Sequence, residues 1–150
     1  MVAPNGKGCA SDWVLSNYPE AVGKRRSKNF QKNLGLLVHI DGDEHGVTAR
    51  KTALDVRLQS KQMPLRGPSE PVAIFVPTWC IETWLLHLAG LEQPRELDKL
   101  KRDPDPTYRA ALHALAEDEA RYITTAVATW PGSGLPSLMD SKTEGGRIGI

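Results

Sequence analysis

Two carboxylates spaced two positions apart, Asp41 and Asp43, end the apolar run Leu34-Gly35-Leu36-Leu37-Val38-His39-Ile40. A run of this kind, β-branched near its end, reads as a strand buried on both faces. Side chains alternate along a strand, so the two aspartates are expected to point the same way, roughly 6.6 Å apart along the backbone. Like charges so placed repel unless a cation or a shared proton lies between them. Hard oxygen donors at the carboxyl end of a buried strand suit Mg²⁺ or Mn²⁺. A plain strand-to-loop turn would also favour Asp and Gly, but would not need so apolar a strand. His39 shares the aspartates' side of the strand and reads as a packed or hydrogen-bonded histidine rather than a ligand.

Three further groups carry chemistry. Glu82 follows the second apolar run, Val72-Ala73-Ile74-Phe75-Val76, and falls in the first turn or so of the next helix. Parallel strands would open both ends on one sheet edge, so that Glu82 faces the aspartate pair; otherwise it only complements the helix dipole. Lys7, in the turn Pro4-Asn5-Gly6-Lys7-Gly8, could meet a phosphate together with backbone N–H groups, although the segment departs from the P-loop pattern. Lys24, Arg25, Arg26, Lys28 and Lys32 place five bases within nine positions, with no acid among them. A charge run of this kind is most often a solvated surface, but its single sign, with Asn29, Phe30 and Gln31 beside it, keeps contact with a nucleic-acid backbone open. The formal net charge is only +1, so a polyanion must be held by such a local patch.

These residues need elements to hold them. Ser11 and Asp12 are good N-caps for a helix through Trp13, Val14 and Leu15, which Pro19 should interrupt unless it begins the next helix. After the strand ending at Asp41, Val47, Leu54 and Leu58 make the apolar stripe of a helix over 47–61, with Arg50, Arg57 and Lys61 on its flank. Residues 63–71 form a loop, and Pro77 stops the strand over 72–76. Thr78 can cap the next helix, in which Ile81, Trp84, Leu85 and Leu88 face inward and Gly90 lies near the end. An alanine-rich helix follows over 107–125; 131–136 is loop, and the last ten residues read as weakly ordered. Strand, helix, strand, helix with short connections implies parallel strands and right-handed crossovers. The expected fold class is α/β, a parallel sheet layered with helices, plus an α-helical C-terminal appendage. Residues 1–92 make the α/β domain and 93–150 the helical extension packed on it.

With 150 residues, the chain has the size of one domain. Its 40% hydrophobic and 25% charged content is ordinary for a globular protein. No apolar stretch approaches the roughly 18 residues of a membrane span. The first residues lack a signal-peptide layout, so no membrane association is expected and the cytoplasm is the expected compartment. Cys9 and Cys80 form no CxxC pair and read as buried thiols rather than a zinc site or disulfide.

The strand ending in Asp-Gly-Asp, the basic helix after it, and the strand leading into Pro77-Thr78-Trp79-Cys80-Ile81-Glu82-Thr83-Trp84-Leu85-Leu86 together resemble the Toprim-type domain. More narrowly, the chain is similar to small bacterial Toprim-like proteins that close on an Ile-Glu-x-Trp-Leu-Leu segment. The likeness spans about Val2 to Gly90. It implies that Asp41 and Asp43 match the family's magnesium pair and Glu82 the glutamate of the closing motif. It also implies an earlier strand carrying a glutamate, which would precede Val2. Without that strand, a sheet edge remains for a second copy of the chain or a partner protein to cover.

The resulting expectation is Mg²⁺- or Mn²⁺-dependent phosphodiester chemistry on nucleic acid, as in a Toprim-type nuclease of phage defence or DNA repair. Asp41 and Asp43 would hold the metal, Glu82 would serve as ligand or base, and Lys7 with the 24–32 patch would hold the backbone. The alternative is a non-catalytic module that binds nucleic acid or protein, favoured by the absent strand. A phosphatase using Asp41 as nucleophile is disfavoured, because Glu44 and His45 stand where that motif continues differently.

Overall fold

The computed structural model describes residues 10–90, 106–132 and 134–150. Its elements are α1 (Ala10–Ser27), β1 (Leu36–His39), α2 (Gly46–Ser60), β2 (Val72–Phe75), α3 (Ile81–Leu88), α4 (Pro106–Glu117), α5 (Glu119–Thr129) and α6 (Pro136–Gly145). A short 3-10 turn, Trp130–Gly132, joins α5 to the approach of α6. Among the described residues, β1 and β2 form a two-stranded parallel sheet, with Leu36 opposite Val72 and His39 opposite Phe75. The class is thus mixed α/β, with the parallel pairing expected and with helices dominating. No helix among the described residues is long and apolar enough to cross a membrane.

Strand alternation divides the two faces of this sheet. Val38, Ile40, Val72, Ile74 and Val76 pack against Val14, Leu15, Tyr18 and Val22 of α1 and Leu54 and Leu58 of α2. α2 is the crossover that makes the strands parallel. α1 differs from the expectation, because it runs unbroken through Pro19 to Ser27. A proline inside a helix removes a hydrogen bond and costs about 3 kcal/mol. Here Pro19 is itself buried, between Tyr18 and Val22 of the core-facing stripe, and tertiary packing outweighs the local penalty. Lys24, Arg25 and Arg26 therefore form the last turn of α1 rather than a separate segment.

The other face is built around aromatic rings. Phe75 meets Trp84 and Trp130 edge-on, at centroid distances of 6.1 and 5.7 Å. Both indoles are fixed by serines of α6, since Trp84 Nε1 donates to Ser137 Oγ at 2.8 Å and Trp130 Nε1 to Ser141 Oγ at 3.2 Å. The inward set of α3 matches the expected one only in part: Trp84 is buried, but with Thr83 and Leu86 rather than Ile81 and Leu88, and Leu86 joins Leu115 of α4 in a second apolar cluster against which Leu85 packs. Cys80, not Thr78, is the N-cap position of α3, and no side chain caps that end. Cys80 is a buried thiol, and Cys9 lies outside the described residues. The helix expected over 107–125 is two helices. Asp118 ends the first and caps the second, accepting from the Arg121 N–H at 3.2 Å, and so trades helix continuity for a satisfied N-terminus.

The tail also departs from the expectation of weak order. α6 lies along the outer edge of β2, and Glu144 completes it: the Ile74 N–H donates to Glu144 Oε2 at 3.1 Å. Arg66 Nη1 donates to the Val72 carbonyl at 2.8 Å and also bonds Glu144 Oε2. Lys51 of α2 bridges Glu144 Oε1 at 2.8 Å and Asp140 Oδ1 at 2.7 Å. An ion-paired couple of side chains thus supplies the donor and acceptor that another strand would have supplied. Burial alone would raise the Glu144 pKa, but the bonds from Arg66, Lys51 and Ile74 outweigh it and lower the carboxyl to about 2.

Because the folded pKa is depressed, the contribution of Glu144 is complete above the ordinary value of 4.5 and disappears as pH falls toward about 2. Glu144→Gln is expected to cost on the order of 3 kcal/mol at pH 7. Urea unfolding as a function of pH checks both: the variant should lie below the parent at pH 7 and converge on it near pH 2 to 3.

Candidate metal centre

The two strands are followed by loops that continue to pair. Gly42 N–H donates to the Pro77 carbonyl at 2.9 Å and Asp43 N–H to the Trp79 carbonyl at 3.1 Å. This brings Asp41, Asp43 and Glu82 to one edge of the sheet, as parallel strands require. The close approach explains Gly42, where a Cβ would lie 2.8 Å from the Pro77 carbonyl oxygen. Both facing residues have left-handed backbones, Asp43 at φ 46° and Trp79 at φ 65°. Aspartate tolerates this region, but an indole-bearing residue there is strained.

The left-handed turn at Asp43 ends the alternation on which the aspartate pair was expected to rest. The two carboxylates have different partners. Asp43 Oδ2 accepts from Arg50 Nη2 at 2.6 Å and lies 3.5 Å from Ser11 Oγ, on the side of α1 and α2. Arg50 Nε also donates to the Asp41 carbonyl at 2.9 Å, so one guanidinium ties down the turn at both ends. That side chain is only 10% exposed. Asp41 keeps to the opposite side with His39, whose Nε2 is 3.7 Å from Asp41 Oδ1.

Glu82 occupies the first turn of α3. Its Oε2 and the Asp41 Oδ1 are both shielded from solvent. His39 responds to both carboxylates: partial burial lowers its pKa below the ordinary value, against the opposing pull of the Asp41 and Glu82 charges. The site is therefore His39, Asp41 and Glu82 on one side of the Asp-Gly-Asp turn, and Asp43 with Arg50 and Ser11 on the other. Among the described residues, no group of three or more His, Cys, Asp or Glu side chains is clustered to hold a metal ion. Two carboxylates remain chemically suitable for Mg²⁺, which keeps several waters and takes one or two protein carboxylates plus substrate phosphates.

The basic residues lie elsewhere. Lys7 is outside the described residues. Ser11, beside Asp43, and Arg25 are fourteen positions apart on α1, which is about 21 Å of helix. Lys24, Lys28 and Lys32 are exposed, Arg25 is buried, and Arg26 is held by Glu70 through bonds of 2.7 and 2.9 Å. The patch thus flanks the opposite edge of the sheet from Asp41. Arg50 is the site residue that sequence reasoning missed. Its position one turn into α2 suits a partner in the preceding turn, but a basic residue on the flank of an apolar stripe gives no sign of burial.

Comparison with protein-family models, with curated proteins and with solved structures finds no match.

Gly42→Ala is expected to force the two loops apart at a cost of about 1–3 kcal/mol. A lowered urea midpoint, with the loss of Asp43 amide protection in hydrogen exchange, is the result to look for. A midpoint equal to the parent's would mean that the loops are not in the contact described.

Proposed function

We propose that the protein carries out Mg²⁺- or Mn²⁺-dependent phosphodiester chemistry on nucleic acid, in the manner of a Toprim-type nuclease. The supporting observation is the pairing of the two strand-end loops, which puts Asp41 and Glu82 at one sheet edge with both charges acting on His39. In this reading Asp41 and Glu82 are the oxygen donors for the cation. The ion, when bound, would polarise a phosphoryl oxygen and activate water. His39, whose pKa burial holds below the ordinary value against the pull of Asp41 and Glu82, could take up a proton at Nε2. Asp43 holds the turn through Arg50 and becomes a ligand only when that bond opens.

Calorimetric titration with MgCl₂ and MnCl₂ tests the proposal. The parent protein should take up the cation, and Asp41→Asn should weaken uptake by about tenfold or more, as metal-site changes usually do. Cleavage of labelled DNA or RNA should fall with it. Absence of cation uptake by the parent, or cleavage unchanged in Asp41→Asn, refutes the enzyme.

The Arg50–Asp43 ion pair supports a second reading. A guanidinium committed to one carboxylate of the pair suits a non-catalytic module that binds nucleic acid or protein. Binding of that kind falls steeply with salt and ignores chelator.

A further inference from the structure

We infer that the cleft between the end of α1 and the loop leading into β2 is a seat for one phosphodiester group of a nucleic-acid strand, held by Arg25. The inference deepens the nucleic-acid reading above but requires no metal. Arg25 is only 6% exposed. Among the described residues, its guanidinium forms no ion pair within 4 Å, its Nε has no hydrogen-bond partner, and Nη1 reaches only Asn29 Oδ1, at 3.5 Å. A buried cation so poorly matched is costly unless an anion completes it.

The surroundings supply the space. Arg25 lines a cavity of about 370 Å³ whose rim includes Asn29 and Ser69. The Glu70 carboxylate in the same cavity is already neutralised by the bidentate Arg26 pair and by the Gly67 N–H at 3.1 Å. Glu70 also feels the Arg25 charge, and Arg25, Arg26 and Glu70 together leave the cavity with a net charge of one positive unit. A phosphodiester carries one negative charge and matches it, whereas a phosphomonoester dianion would be left half paired. Guanidinium is well suited to phosphate oxygens. Lys28 and Lys32 are exposed nearby in the chain, and Phe30, 79% exposed, offers a ring on which a base can stack. That ring favours a nucleic-acid strand over a phospholipid headgroup.

The test uses fluorescence anisotropy of a labelled single-stranded oligothymidylate, with EDTA present throughout. Ser69 is exposed, so Ser69→Asp should leave the melting temperature unchanged while placing a like charge at the cavity mouth. Binding is expected to weaken about tenfold or more, the loss of one charge-assisted contact. Arg25→Gln, if folded, should do the same. Oligonucleotide binding that is absent, or that withstands Ser69→Asp, overturns the proposal. So does tighter binding to phosphatidylglycerol vesicles than to the oligonucleotide. Mg²⁺ uptake unchanged in Ser69→Asp separates this site from the metal reading, so either can fail without the other.

Discussion

A sheet of two strands is barely viable in water, and the Glu144 carboxylate is what closes this one. β2 presents a row of N–H and C=O groups away from β1, and a bare row of that kind invites other chains. Glu144 accepts from the Ile74 N–H and Arg66 donates to the Val72 carbonyl, so the row is satisfied by side chains. Lys51 extends the same network to α2, and Trp84 and Trp130 are hung on serines of the same helix. One helix thus fixes the strand edge, the aromatic layer and the crossover helix together. The outer edge of β1 has no strand partner among the described residues.

The order imposed there reaches the acidic turn through the strands. Their parallel pairing extends as far as Gly42 and Pro77, beyond which Asp43 and Trp79 meet in an isolated antiparallel bridge. The strain at Trp79 is sustained because both neighbouring loops are hydrogen-bonded. Within the turn, charge is divided rather than concentrated. Arg50 balances Asp43, which leaves Asp41 and Glu82 as the pair whose field falls on His39. Two adjacent carboxylates free of a counter-charge would repel; one counter-charged and one shared with a histidine need not.

Much of the frame was legible in the sequence, because apolar runs and periodic stripes report burial directly. The strands, their parallel pairing and the helix between them all follow from such patterns, and so does the placing of Asp41 and Glu82 at the same end of the sheet. The departures share a cause in tertiary contacts between distant residues. Pro19 lies inside a helix because its ring is buried in the core. Asp118 breaks an alanine-rich run because capping competes with continuity. The tail is ordered through Glu144, a charged residue that reads as surface until Arg66 and Lys51 are placed beside it. Alternation failed at Asp43 because a left-handed residue ends the strand early, and no hydropathy pattern records the sign of φ.

The partner of Ile74 lies 70 residues farther along the chain. At the usual pace of translation, about 5–20 residues per second, that interval lasts roughly 4–14 s. During it the nascent β2 strand has an unsatisfied flank, and its apolar side chains have no α6 to cover them. The sheet is therefore sealed only once Glu144 has been made and is free to fold back onto Ile74. Chaperone dependence should accordingly concentrate in this window of synthesis rather than in the finished fold.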